Sequence, residues 1–432
     1  MMKESDPAPR EGHRPTANLG GRHSLDNGWR AWRSHRGLRA VLVFVVGAAL
    51  ATAVGVAALW PTGEGIAEAT ATADEIGLVT ARLKATVREI YDGPCSYSTA
   101  DTTHNCRQVS AVLDEGPNQG SVIALPEFDL SFAPTAPKLT VGQKVIIGYE
   151  QSTDFYFYAD VDRRAPLAWL TALFALFVIA LGRRRGVLAL LGMGGTLIVL
   201  VAFMAPSVLD GNDPLLVAVV AASAIAFVSL YLVHGLNSTT TVALAGTLSS
   251  LGLTLALSWS FFEFAHFTGL ASEETLTLPF IFAGLDVGSL ILGGAVIGAL
   301  GALDDITVTQ AALVAELRYR NPGLSIRQLV RSGIRVGREH IASTVNTLLL
   351  AYAGASVPLL MLLAVSDQSM VMVANSELIA VEIVRTLCGS VGLVAAVPIT
   401  TTLAAFVADR GGRSRAMYPQ VASLEDNTPQ QP

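Results

Sequence analysis

Residues 298–354 read GALGALDDITVTQAALVAELRYRNPGLSIRQLVRSGIRVGREHIASTVNTLLLAYAG. This charged and hydroxyl-rich stretch overlaps two apolar segments, Ile281–Leu303 and Ile341–Val365, each long enough to cross the roughly 30 Å hydrocarbon core of a bilayer. A charged side chain in hydrocarbon is costly unless it is paired or hydrated. We therefore look for function at the two places where this charge meets the apolar segments.

The composition indicates a membrane protein. Of 432 residues, 51% are hydrophobic and 15% are charged, which excludes a disordered chain and an ordinary soluble domain. The sequence predicts an all-α bundle of about eight transmembrane helices, with a small extracytoplasmic all-β domain inserted after the first. The predicted helices are Val41–Trp60, Leu167–Leu181, Val187–Leu209, Pro214–Val233, Thr241–Phe262, Ile281–Leu303, Ile341–Val365 and Leu378–Ala408.

Arginines predict the orientation. They lie before the first helix, after the second, between the sixth and seventh and after the eighth, whereas the connections 210–213, 263–275 and 366–377 contain no Lys or Arg. Because cytoplasmic loops carry the excess of basic residues, we expect a multi-pass protein of the bacterial inner membrane with both termini in the cytoplasm. Arg163 and Arg164 are the exception to this pattern.

The first helix could be a cleaved signal peptide, but its length is typical of a retained anchor. The expected parts are a disordered cytoplasmic tail at 1–40, the first helix at 41–60, an extracytoplasmic β-domain at 61–165, a seven-helix bundle at 166–408 with a cytoplasmic loop at 304–340, and a cytoplasmic tail at 409–432.

Short alternating apolar runs between residues 61 and 165 predict the β-domain. Five runs have this pattern, at 78–87, 108–113, 121–125, 144–149 and 155–159. They indicate a sheet with one buried face, and an OB-like barrel and a sandwich both remain open. Cys95 and Cys106 are expected to form a disulfide, while a metal site of these two with His104 would lack a fourth ligand.

The aspartate pair at the end of the sixth predicted helix has two interpretations. Asp304 and Asp305 could mark the start of an interfacial helix, where carboxylates are favoured. They could instead stand at the inner mouth of a pathway and bind a cation or relay protons. The candidate pathway residues are Asp304, Asp305, Thr307, Gln310, Arg335, Arg338, Glu339, His340, Asn346 and Thr347.

Between these flanks the sequence predicts a basic amphipathic helix. Asn321-Pro-Gly breaks the preceding helix, and Ser325 with Gln328 is a capping-box start for the next. Arginines then recur every three or four residues, and we expect those at Arg327 and Arg331 to contact anionic lipid headgroups.

Further polar residues in the predicted helices are secondary candidates, namely Asp286, His234, Asn237, Glu382 and Arg385. Glu382 and Arg385 are spaced so that they can neutralise each other. His234–Gly246 also resembles His340–Gly354, which is a weak indication of an internal duplication.

The motifs at Gly298–Asp305 and Gly337–Gly354 resemble those of the YibE/F-like family of bacterial multi-pass membrane proteins. These are a Gly-rich span, Asp-Asp, a Gly-Arg-Glu approach and Thr-x-Asn-Thr-Leu-x-x-Ala-Tyr-x-Gly. The resemblance extends over roughly Leu78 to Val407. It implies an integral membrane protein of uncharacterised function and no established substrate or catalytic residue.

The residues favour a cation- or proton-coupled transporter or channel, in which Arg335, Arg338 and Glu339 form gating pairs. The alternative is a non-transporting partner or assembly protein whose β-domain binds an envelope component. We do not expect an enzyme, since the sequence has no GxSxG, HExxH or phosphate-binding loop. We expect no cofactor and no nucleic acid partner, whereas an oligomer or a partner subunit remains open.

Overall fold

We describe the fold from a computed structural model of the chain, which covers residues 36–75, 80–99, 104–132, 136–151, 153–282, 284–365 and 369–408. Most of the predicted tail at 1–40 and the whole tail at 409–432 lie outside these ranges. The helices are α1 (Arg36–Ala58), α2 (Glu64–Glu75), α3 (Arg164–Ile198), α4 (Ala205–Leu209), α5 (Pro214–His234), α6 (Ser238–Ala265), α7 (Glu273–Ile281), α8 (Val287–Arg320), α9 (Ile326–Ala355), α10 (Val357–Val365), α11 (Met370–Asn375) and α12 (Glu377–Ala408).

Six helical stretches within the described ranges are long and apolar enough to cross a membrane. They are Gly37–Ala58, Arg164–Leu209, Pro214–His234, Ser238–Ala265, Val287–Arg320 and Glu377–Ala408. Each overlaps a predicted transmembrane helix. The sequence predicted eight such helices, and the difference arises at two places.

The predicted second and third helices form one stretch of 46 residues, Arg164–Leu209. A break divides this stretch at Arg183, whose φ of 50° and ψ of −128° are not helical. At about 1.5 Å per residue, 46 residues extend to roughly twice the thickness of the hydrocarbon core. The two predicted helices therefore merge because a single residue, rather than a polar loop, separates them.

The predicted seventh helix is divided between α9 and α10. Helix α9 already begins at Ile326, so its first half carries the arginines, and it is not among the six apolar candidates. It ends at Ala355, and Pro358 follows near the start of α10. Proline has no N–H to bond the carbonyl four residues earlier, here that of Gly354, and its ring clashes with that carbonyl, which accounts for the break.

The β-domain contains a six-stranded sheet, and all of its strand pairs are antiparallel. Its strands are β1 (Ala81–Pro94), β2 (Asn105–Leu113), β3 (Val122–Ala124), β4 (Phe128–Asp129), β5 (Lys144–Glu150) and β6 (Phe155–Val161). Their order is β3-β2-β1-β5-β6, and β4 pairs with β2. The alternating residues Val87, Val109, Val145 and Ile147 form the buried face. All five predicted strands are confirmed, while α2 and β4 were not predicted.

The disulfide predicted in this domain is present. Cys95 and Cys106 are bonded, with their Cα atoms 4.8 Å apart. His104 instead lies beside Asp129, with 3.5 Å between its Nδ1 and a carboxylate oxygen. Both sulfurs are occupied by each other, so this form offers no thiolate for the metal site that the sequence analysis had considered.

The sheet passes almost directly into the bundle. Strand β6 ends at Val161 and α3 begins at Arg164. Arg164 binds Asp162 through its guanidinium, with a shortest contact of 2.6 Å, and Arg163 binds Asp160 at 2.7 Å. The hydrogen bonds from Arg164 hold the pKa of Asp162 well below its usual range. The two arginines that did not fit the orientation pattern are thus paired with acids of the sheet.

Helices α6, α8 and α12 pack against one another at the centre of the bundle. Leu244, Leu303, Ile306 and Leu393 are fully buried at this junction. Helices α5 and α9 pack against α8, and α9 also packs against α12. Helix α8, which carries the aspartate pair, therefore contacts four other helices of the bundle.

Candidate functional site

A cavity of about 160 Å³ lies between α5 and α8. It is lined by Ser229, Leu230, Val233, His234, Asp304, Asp305 and Val308. Helix α5 ends at His234, and this end meets the aspartate pair of α8. The cavity brings together three predicted site residues, His234, Asp304 and Asp305, at the predicted cytoplasmic end of the bundle. Sequence reasoning placed it between the sixth and seventh predicted helices, but its second wall is α5.

Asp304 points its carboxylate towards α5. Its Oδ2 accepts a hydrogen bond from the Ser229 hydroxyl at 3.1 Å. Its Oδ1 is buried and accepts no hydrogen bond from any described residue. The neighbours Leu303 and Ile306 are completely buried. A carboxylate oxygen removed from water without a partner is unfavourable unless a proton or a cation joins it.

Two threonines continue the polar environment from Asp304 into the bundle. The Thr307 hydroxyl donates to the main-chain carbonyl of Asp304 at 3.1 Å and lies 2.7 Å from the Thr247 hydroxyl. Either hydroxyl can be the donor in this contact. Both threonines are completely buried. The Thr247 hydroxyl also lies close to the Asp304 carboxylate.

A row of buried hydroxyls runs along one face of α6. The row consists of Thr240, Thr247, Ser250, Thr254 and Ser258. These spacings of three, four or seven residues place side chains on one helix face. We call these five residues the hydroxyl row. The Ser250 and Ser258 hydroxyls make no hydrogen bond to described residues.

Helix α12 completes this polar junction. The Thr400 hydroxyl is buried and makes no hydrogen bond within the described ranges, and it lies against Gly246 of α6. Thr254 of the hydroxyl row lies against Gly392 of α12. Only glycine allows these close approaches, because a Cβ at either position would collide with the threonine. At the bundle centre, a threonine hydroxyl of each helix therefore lies against a glycine of the other.

Gln310 connects three helices. Its Oε1 accepts a hydrogen bond from the Thr401 hydroxyl of α12 at 2.9 Å, and the side chain is almost fully buried. Its Nε2 lies against Gly337 of α9, where an added Cβ would approach it to 2.8 Å. Gln310 was a predicted site residue, and the structure gives it a position at the α8–α9–α12 contact.

His340 is the residue of the α9 flank that reaches the aspartate pair. Its Nε2 lies 3.7 Å from an Asp305 carboxylate oxygen and makes no hydrogen bond to described residues. Asp305 is exposed, and it lines the cavity together with His234. Of the two histidines whose sequence surroundings are similar, His340 lies close to Asp305, and His234 lines the same cavity.

The remaining residues of the α9 flank do not converge on the cavity. Arg335, Arg338 and Glu339 are exposed and form no ion pair with described residues, so the structure does not show the expected gating pairs. Asn346 and Thr347 are also exposed, and the Thr347 hydroxyl donates to the carbonyl of Ser343 in its own helix.

Four of the secondary candidates have structural roles. Asp286 caps the N-terminus of α8 and accepts hydrogen bonds from the Ser289 N–H and hydroxyl. Asn237 caps α6 in the same way, through the Thr240 N–H at 2.9 Å. Glu382 and Arg385 form an ion pair at 3.0 Å, as their spacing indicated.

Carboxylates also hold loops at the opposite end of the bundle. Asp210 accepts hydrogen bonds from Thr62, Gly63 and Gly65 at the start of α2, and Glu377 accepts them from Thr268 and Gly269. Partial burial raises the pKa of Asp210, but the N–H groups of Gly65 and Thr62 outweigh it and bring the pKa below the usual value. Asp210 is thus held ionised beside a cavity of about 680 Å³ that Glu64, Glu68 and Asp213 also line.

Sequence reasoning did not find the hydroxyl row. The signal was the helical spacing of Thr247, Ser250, Thr254 and Ser258, but these residues lie inside a stretch that is apolar on average. The facing residue Thr400 comes from a helix about 140 positions later. Only the packing of the helices shows that Thr400 lies against α6.

Comparisons with known proteins bear on the bundle. The family model of the YibE/F-like protein matches residues 170–410, which is more than half of the 432 residues. The match contains the cavity, the hydroxyl row and α12, and it begins after the sheet. Neither the curated proteins nor the solved structures gave a match. With its bundle of apolar helices and this match, the chain belongs to the YibE/F-like protein family.

Proposed function

We propose that this protein is a cation- or proton-coupled transporter or channel of the bacterial inner membrane, and that Asp304 binds the transported ion. One observation carries the proposal. A carboxylate oxygen of Asp304 is buried within the bundle, beside a cavity, and has no hydrogen-bond partner among described residues. A proton or a cation on this oxygen would remove the cost of leaving it bare.

The neighbours of Asp304 support ion binding. The Ser229 and Thr247 hydroxyls lie beside the carboxylate, and the Thr307 hydroxyl binds the main-chain carbonyl of Asp304. Hard cations such as Na⁺ prefer oxygen ligands, and a hydroxyl can both donate and accept a proton. The same group of residues therefore suits a proton or a small metal cation.

The route in this proposal follows the polar side chains. Ions would enter from the cytoplasm past His234 and Asp305, reach Asp304, and continue beside Thr247, Ser250 and Ser258 of the hydroxyl row. The acids around Asp210 stand at the other end of the bundle, where a negative surface concentrates cations. This direction rests on the orientation that the arginines predict.

Reconstitution of the full chain in vesicles tests the proposal. With an imposed membrane potential, we expect wild-type protein to move H⁺, Na⁺ or K⁺, as followed by internal pH and ion indicators. Asp304→Asn keeps the shape but removes the charge, and it should lower the flux at least about tenfold, the loss expected when a direct ionic interaction worth about 1.4 kcal/mol is removed.

Glu316→Gln is the matched control. It also removes one carboxylate from α8, but Glu316 is exposed, pairs with Arg320 and does not line the cavity, so its flux should equal that of wild type. Unchanged flux in Asp304→Asn would refute the site. Absence of H⁺, Na⁺ and K⁺ flux in wild type would refute transport of these ions and favour a partner protein.

One observation favours the alternative, a non-transporting partner protein whose sheet binds an envelope component. A groove of about 440 Å³ crosses the sheet and is lined by Glu89, Tyr91, Gln108 and Glu127 among others. Tyr91 is 60% exposed there. An exposed aromatic ring among hydrogen-bonding side chains suits an extracytoplasmic ligand. Chemical crosslinking of the groove residues to neighbouring molecules in intact cells would test the alternative. It predicts that the same crosslinked product is found in repeated experiments and is lost in Tyr91→Ala.

A further inference from the structure

A groove of about 710 Å³ separates α9 from the end of α12. It is distinct from the Asp304 cavity and shares no lining residue with it. Ile326, Val330 and Ile334 of α9 form its apolar floor together with Phe406 of α12, which is 54% exposed. An apolar floor of this kind offers a place for a hydrocarbon chain.

Four arginines line the same groove. Arg327, Arg331, Arg335 and Arg338 are all exposed, and none of them forms an ion pair or a side-chain hydrogen bond with a residue in the described ranges. Guanidinium groups bind phosphate through paired N–H donors. The groove thus combines unpaired positive charge with an apolar surface.

The way α9 packs fixes this arrangement. Leu329, Gly333 and Gly337 are buried, and the two glycines let α9 lie directly against Thr401 and Val397 of α12. The glycine side of α9 thus contacts α12, while its apolar residues Ile326, Val330 and Ile334 and the four arginines line the groove beside this contact.

We propose that this groove binds one anionic phospholipid, with its phosphate on Arg331 and Arg335 and an acyl chain along Ile334 and Phe406. The charge complementarity and the apolar floor together select an amphiphile over a soluble anion. The proposal is independent of ion transport, because it makes no use of the Asp304 cavity.

Native mass spectrometry of the detergent-purified full chain tests this. With added phosphatidylglycerol, we expect one retained lipid per protein and at least about tenfold weaker retention of phosphatidylcholine. Arg331→Gln with Arg335→Gln should weaken phosphatidylglycerol retention by about tenfold to thirtyfold, given the typical contribution of a basic residue at an anionic lipid surface. Phe406→Ala should weaken it as well, because it removes part of the floor.

Arg184→Gln with Arg185→Gln is the matched control. It removes the same charge from exposed arginines elsewhere on the predicted cytoplasmic side, and it should leave retention unchanged. An equal loss in both double variants would show unspecific attraction and overturn the proposal. Full displacement of the lipid by inorganic phosphate would indicate that the groove binds a soluble anion. Lipid binding that appears only after deletion of residues 409–432 would show that the chain's own tail occupies the groove. Either result would overturn the proposal.

Discussion

Asp304 and Asp305 are neighbours in sequence but lie in different environments. Asp304 faces the bundle, where one carboxylate oxygen is buried, while Asp305 is exposed beside His340. Adjacent residues on a helix point about 100° apart, so the two carboxylates differ in burial although both residues line the same cavity. The sequence indicated the pair, but the role of each member depends on which helices pack around α8.

Thr307→Val tests the contact between the Thr247 and Thr307 hydroxyls next to Asp304. The variant removes the Thr307 partner of the buried Thr247 hydroxyl, and an unsatisfied buried group costs about 1–3 kcal/mol. We expect the free energy of unfolding in mild detergent to fall by this amount. The control is Thr309→Val, since Thr309 is exposed and bonds only to its own helix, and its effect should stay within about 0.5 kcal/mol. Equal effects of the two variants would contradict the buried contact.

At the scale of elements, the sequence predicted helices and strands well where periodicity is strong. Alternation revealed the five longer strands, and mean hydropathy revealed each apolar helix. It missed α2, whose residues Glu64–Glu75 have neither a long apolar run nor an alternating pattern. The sequence also predicted the two halves of α3 as separate helices, because three adjacent arginines at 183–185 are typical of a loop. Only Arg183 has a non-helical backbone conformation. Contacts between helices, such as Thr400 with Gly246, depend on packing that one sequence does not reveal.

Gly246→Ala tests the close approach of α6 and α12. The added methyl group would collide with buried Thr400, and such overpacking costs about 1–3 kcal/mol, so the unfolding midpoint in denaturant should fall. Gly252→Ala lies on the same helix but has no atom within 4 Å of its new methyl group. Because alanine favours a helix over glycine, this control should be neutral or slightly more stable. A loss in both variants would argue against the α6–α12 contact.

At the scale of the whole molecule, the chain has two parts that meet over a few residues. The family match covers the bundle, while the sheet precedes it and joins α3 through residues 162–163. Asp162 and Arg164 hold this junction together. Its ion pair connects the end of the last strand to the start of the first helix after the sheet.

The junction predicts a pH dependence. Because hydrogen bonds from Arg164 lower the pKa of Asp162 on folding, the ionised group stabilises the fold above its ordinary pKa of 3.8 and loses this effect as pH falls through the lower folded value. Asp162→Asn should therefore lower the melting temperature at pH 7, and the difference from wild type should shrink below pH 3.8. Asp74→Asn removes an exposed acid from α2 and serves as control. A difference that stays constant with pH would exclude the ion pair as its cause.

The break at Arg183 has a consequence for how α3 is covered. No side chain in the preceding residues 164–182 is buried, so this half of α3 has no core to hold it and presents leucine and phenylalanine side chains on its exposed surface. The sheet is attached to the bundle on two sides. This half of α3 follows it, and the segment at the start of α2 that precedes it is hydrogen-bonded to Asp210. The attachment at Asp210 is held by hydrogen bonds, while the attachment through α3 is a helix that buries no side chain. In a bilayer, lipid rather than protein would cover the leucine and phenylalanine side chains of this half of α3.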